Sequence, residues 1–236
     1  MHAAFEFDGS VVLVTGASGA LGSAVVEYLE ESGVTVAATD LIAPDEDETM
    51  LDPTGDVHFY EGDFTDEESV ERVVGEVVDD QGRLDGLCNI AGTWRGGDPI
   101  HETDVGTFEF LFDVNLKTMF LASKHALPHL QESEGAIVSV SARSSLSGGE
   151  GDGPYRASKA GVRLLTETIA EENPGAVRAN AVMPSVIDTP ANREMMPDAD
   201  HDTWVEPEEI ARVIAFLFSD AAAPTSGAAV PVYGEA

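Results

Sequence analysis

Basic residues are scarce in this chain. Twelve Lys and Arg stand against 44 Asp and Glu in 236 residues, a formal net charge of −32. Only three lysines occur, Lys117, Lys124 and Lys159. Such a surface repels phosphate backbones, which excludes nucleic acid as a partner. The acids are spread along the chain rather than gathered at one end, so they do not form an acidic interaction tail. They read instead as adaptation to a high-salt cytoplasm, where at about 1 M salt a Debye length of ~3 Å screens the self-repulsion. A single cysteine, Cys88, excludes an intrachain disulfide. No apolar run approaches the ~18–20 residues that span a bilayer, and Met1-His2-Ala3-Ala4 carries no basic, apolar leader. A cytoplasmic protein without a membrane partner is expected. No repeat, linker or low-complexity segment divides residues 1–236, and one domain of that size buries a full core.

An apolar run, Val11 to Val14, leads into Thr15-Gly16-Ala17-Ser18-Gly19-Ala20-Leu21-Gly22. A helical pattern follows from Ala24 to about Glu31, and a strand-like run from Val34 to Thr39 ends on Asp40, 18 residues beyond Gly22. Strand, glycine turn, helix, strand and acid form the dinucleotide-binding βαβ pattern. Glycines there let the backbone approach a pyrophosphate, and the helix N–H groups point at its charge.

Far downstream, Gly153-Pro154-Tyr155-Arg156-Ala157-Ser158-Lys159 reads as the start of a helix. Tyr155 and Lys159 then share a face, one turn apart. A tyrosine with a pKa near 10 carries protons poorly at neutral pH. An adjacent ammonium that lowers it by ~2–3 units supplies roughly 3–4 kcal/mol, and the pair can then exchange a proton with a carbonyl or alcohol oxygen. Alone, the spacing is that of an ordinary surface pair.

Together the two stretches resemble the short-chain dehydrogenase/reductase family, and the likeness runs over nearly the whole chain. The resemblance implies an α/β fold: a doubly wound, mostly parallel sheet of about seven strands with helices on both faces. It implies hydride transfer between a nicotinamide and a carbonyl, alcohol or imine, and a homo-dimer or homo-tetramer. It makes Tyr155 the acid/base, has Lys159 hold the ribose hydroxyls and depress the tyrosine pKa, and has Asn115 complete a proton relay through a distorted helix. For the cofactor it implies contacts from Gly16, Ser18, Leu21 and Gly22 in the first turn, and from Asp40 on the adenosine hydroxyls. Asp63 and Phe64 would meet the adenine, and Asn89, Ala91 and Gly92 would close on the cofactor after the fourth strand. Pro184, Ile187 and Thr189 would hold the carboxamide and phosphates. Without the resemblance, Asp63 is a turn or helix-start residue, and Asn115 an asparagine bonded to nearby backbone. No arginine or lysine lies near Ala17, Ser18 or Leu41, so NAD is expected over NADP.

The pattern is not complete. The family's serine, 13 residues before the tyrosine, is Ala142 here. On an extended strand Ser144 shares a face with Ala142 and Ser141 does not, which makes Ser144 the expected substitute. Alanine at this place is also found in a subset resembling dihydropteridine reductases, which reduce a quinonoid ring. Two other readings stay open: a 3-oxoacyl-thioester reductase, and a non-catalytic NAD-sensing scaffold. The apolar stretch from Phe108 to Leu121 is expected to be buried or in an interface. Pro128 is expected to interrupt its helix, and the His125/His129 pair has no third ligand for a metal.

The charge yields the first test. The melting temperature should climb as KCl rises from ~0.1 M toward saturation, since the screening length falls below the spacing of surface acids. A flat or falling profile removes the high-salt reading.

Overall fold

Seven parallel strands form one sheet in the order β3-β2-β1-β4-β5-β6-β7, in a computed structural model that describes Phe5, Phe7 and residues 9–46 and 49–235. The leader reading at Met1–Ala4, and Asp47 and Glu48 of the acidic loop after Asp40, fall outside the described residues. The strands are β1 (Val11–Thr15), β2 (Thr35–Asp40), β3 (Val57–Glu61), β4 (Gly86–Asn89), β5 (Ala136–Val140), β6 (Arg178–Pro184) and β7 (Ala229–Val232). The principal helices are α1 (Ala20–Glu31), α2 (Glu67–Gln81), α3 (Val105–Phe112), α4 (Thr118–Ser133), α5 (Gly153–Glu172), α6 (Pro190–Met195) and α7 (Pro207–Phe218).

The strands are continuous apolar runs because both faces are covered. Along β1, Val12 and Val14 pack beneath α1 and α7, whereas Val11 and Leu13 face α2, α4 and α5. On α1, Leu21, Val25 and Leu29 are buried at i, i+4 spacing, which places all three on one stripe against the sheet. Val70, Val73, Val74 and Val77 make the corresponding stripe on α2.

Caps follow from the sequence. Asp66 accepts from Ser69 N at 3.0 Å ahead of α2, with Glu67 and Glu68 in the first turn, where negative charge suits the helix dipole. The helix ends at Gly82, whose φ of 77° favours glycine. Pro154 stands in the first turn of α5, where its missing N–H costs nothing.

One expectation changes. Pro128 lies inside α4 and does not interrupt it. The proline and Lys124, whose carbonyl it leaves without a helical donor, are both exposed, so water can serve that carbonyl. Buried Leu121, Ala122, Ala126 and Leu130 on either side carry the helix through. The stretch Phe108–Leu121 is two α-helices joined by a π-helical turn, Asp113–Lys117. Leu111, Met119 and Leu121 are buried, but Phe108 and Phe120 remain 45% and 49% exposed, so burial within the chain does not account for them.

The strand order reverses between β1 and β4, which opens a crevice at their carboxyl ends. Gly16 (φ 69°) passes so close to that crevice that a Cβ would fall 2.8 Å from Ala91 Cα. A Cβ on Gly22 would collide with the Gly16 carbonyl oxygen, so only glycine lets α1 start against the turn.

Candidate active site

Lys159 and Asn115, two of the residues expected to do chemistry, meet beyond the carboxyl ends of β4 and β5. Lys159 is 5% exposed, and its Nζ donates to the Val140 carbonyl at 2.9 Å. A Cβ on Gly92 would lie 2.9 Å from that Nζ and 2.7 Å from Asn115 Oδ1. Asn115 is 1% exposed and sits in the π-helical turn. Its Oδ1 accepts from Thr93 N at 2.7 Å, while Nδ2 donates to the Thr93 carbonyl at 3.0 Å and to Ser158 Oγ at 3.2 Å. Its side chain thus clamps the loop after β4 onto α5, and the expected helix distortion is present.

Burial, then the carboxylate of Asp152, push the Tyr155 hydroxyl up to about 12, with Arg156 opposing. This corrects the expected lowering by Lys159. The ammonium is directed at the Val140 carbonyl, and burial has brought its own pKa down to about 8. A phenol in this state holds its proton at neutral pH.

Ser144 does not lie on the strand expected to carry it. β5 ends at Val140, and Arg143–Leu146 is a 3-10 turn, so strand alternation does not reach Ser144. The Ser144 carbonyl accepts from Arg156 Nη1 at 3.2 Å. Ser141 Oγ donates to the Lys159 carbonyl at 2.8 Å and lies 3.2 Å from Ser145 Oγ. Ala142 is buried and offers only a methyl group.

The expected cofactor residues line the same edge, with several side chains turned to structural work. Asp40, ending β2, accepts from Ser18 N at 3.0 Å and from Leu41 N at 2.7 Å. Ser18 Oγ donates to the Ile42 carbonyl at 2.6 Å and is spent there. Leu21 and Phe64 are buried in the core, which leaves their backbone for a ligand. Asp63 makes the turn that its sequence position also allowed, accepting from Thr65 N and Oγ1 at 2.8 and 2.7 Å through Oδ1. Asn89 points inward, donating to Ser123 and Ser139 hydroxyls. Thr189 caps α6 by accepting from Asn192 N, Ile187 bridges to Val205, and Pro184 ends β6. Gly19 precedes α1 without a side-chain cap and is exposed, so the helix start is open to an anion. The glycine turn, the open helix start and the Asp40 carboxylate together fit a dinucleotide.

Sequence reasoning missed Thr15. Its Oγ1 accepts from Ile90 N and Ala91 N at 3.1 and 3.2 Å, joining the ends of β1 and β4. A threonine closing a strand just before Gly16 was the available signal. Among the described residues no cluster could hold a metal, and no helix is long and apolar enough to cross a membrane.

The family described as enoyl-(acyl-carrier-protein) reductase matches residues 16–234. Meso-2,3-butanediol dehydrogenase of Serratia marcescens is 34% identical, over 98% of this chain and 96% of its own. The 3-oxoacyl-(acyl-carrier-protein) reductase of Thermotoga maritima is 33% identical, over 97% and 98%. The solved structure of a short-chain type dehydrogenase/reductase from Mycobacterium ulcerans superposes with a TM-score of 0.88 at 26% identity, covering 98% of this chain and 90% of that one.

Buried Lys159 gives a stability test. Its pKa falls from 10.5 to about 8, so below about pH 8 the folded state bears the cost of a buried ammonium, and that cost fades as pH rises toward 10.5. Lys159→Met should therefore raise stability at pH 7 by up to about 3 kcal/mol, less the lost hydrogen bond, and the gain should shrink above pH 8. Urea midpoints at about pH 7 and 10 measure this. A variant less stable than wild type at pH 7 contradicts it.

Proposed function

Because the chain belongs to the short-chain dehydrogenase/reductase family, and is therefore an oxidoreductase of CH–OH and C=O groups, we propose that it reduces a small carbonyl compound with NADH, reversibly, using Tyr155 as the acid/base. The observation that carries this reading is the approach of Lys159 and Asn115 to Gly92 beyond the carboxyl end of β4, with Tyr155 one turn before Lys159 on α5. The nicotinamide, when bound, supplies or accepts the hydride. Tyr155 gives its proton to the carbonyl oxygen, and in the reverse direction takes one from the alcohol. Lys159 holds a positive charge beneath the site, and Asn115 keeps the neighbouring loop in register.

Asp40 supports NAD over NADP. Its carboxylate stands beside Ser18 at the end of β2, where a ribose diol can donate to it and a 2′-phosphate would be repelled. Ala142 leaves Tyr155 as the main donor to the reacting oxygen, which favours substrates whose reduction makes little demand on a second hydrogen bond. The proposed partner is a second copy of the chain, meeting through the face that exposes Phe108 and Phe120, and the proposed setting is a high-salt cytoplasm.

Activity should be measured in concentrated KCl on a panel of ketones, diketones and a 3-oxoacyl thioester. Tyr155→Phe should cut kcat by ~10²-fold or more while NADH binding, followed by fluorescence, is kept. More than about a tenth of wild-type kcat in that variant removes the acid role. On the same panel kcat/KM should be higher with NADH than with NADPH, and Asp40→Ala should narrow the gap by harming NADH. Equal use of both by wild type ends the cofactor reading.

A further inference from the structure

Arg156 directly follows Tyr155 in the first turns of α5, and its guanidinium is engaged from several directions. Nε donates to Asp152 Oδ1 at 2.5 Å, and Nη1 donates to the carbonyls of Ser144 and Ser147, each at 3.2 Å. The group also lies against Gly149, where an added Cβ would collide with Cζ. One side chain therefore touches the beginning, middle and end of segment 144–152. That segment contains Gly148, Gly149 and Gly151, which have little conformational preference of their own. Charge-assisted bonds are strong enough to order such a stretch.

The segment rises from the carboxyl end of β5 just past Ala142 and runs into the helix that carries Tyr155. It is also tied to the loop after β4, because Gly97 N donates to the Gly151 carbonyl at 2.7 Å. A Cβ on Gly96 would fall 2.7 Å from that same oxygen and 3.1 Å from the Trp94 ring. The two loops thus meet at Gly151, and Arg156 fastens segment 144–152 to α5.

We propose that Arg156 is a positioning residue, strapping segment 144–152 onto the first turn of α5 and so fixing the wall beside which a carbonyl substrate meets Tyr155. Its consequence for turnover rests on the proposed reduction of a small carbonyl, whereas the strap itself can be measured without a substrate. Lysine cannot replace it fully, because a point charge lacks the planar fork that spans a carboxylate and two carbonyls.

The test uses the full chain with Arg156→Ala, Arg156→Lys and Gly149→Ala. The last places a methyl group where the guanidinium lies and displaces the movable end of Arg156, so it serves even if the first variant does not fold. Hydrogen exchange in peptides covering 144–152 should quicken at least about tenfold in Arg156→Ala and Gly149→Ala, less in Arg156→Lys, with the strands unchanged. With the carbonyl that wild type turns over fastest, KM for that carbonyl should rise at least about tenfold while the Kd for NADH stays within about twofold. Unchanged exchange in 144–152, or faster exchange with an unchanged KM, overturns the proposal. A wild type inert on the whole panel sinks the small-carbonyl reading instead, and the exchange result then decides the strap alone.

Discussion

The site depends on one buried cation. Lys159 is held under Gly92 with its ammonium on the Val140 carbonyl, and burial alone makes that charge costly. The cost is tolerated because the surroundings are over-determined. The π-helical turn brings Asn115 to the same spot, Asn115 pins Thr93, and Thr93 holds the loop that leaves β4. Removing the Thr93 contacts would leave the buried Asn115 amide short of partners.

A second constraint is backbone approach. Gly16, Gly22 and Gly92 each stand where a single added carbon would collide with main chain or with the Lys159 and Asn115 side chains. Thr15 joins β1 to β4 at the same level. The crevice between these strands is consequently shaped by main chain, and side chains such as Ser18, Asn89 and Asp63 are spent on holding it. Polar residues near a cofactor site are thus divided between binding and bracing, and the bracing share here is large.

Charge is arranged differently inside and outside. Acids outnumber bases along the whole chain, yet Arg156 and Lys159 both lie within about one turn of Tyr155 on α5. Asp152 and Arg156 act on Tyr155 in opposite directions, so their pairing leaves burial as the main influence on the phenol.

The sequence by itself determined the βαβ unit and the place of Tyr155 and Lys159 on one helix face, because apolar periodicity and glycine spacing are local signals, and the resemblance those motifs carry implied the parallel α/β class. Only the tertiary structure decided where side chains are spent. Ser144 could be placed on a strand face only while the strand was assumed to continue, and the chain turns at Arg143 instead. Pro128 could be judged a helix breaker only without knowledge of the buried residues that carry α4 past it. The direction of the Tyr155 shift was likewise hidden, since burial dominates it, with Asp152 adding to it and Arg156 opposing. Burial of α4 and of Tyr155 is created by packing against elements distant in the chain, which no local pattern encodes.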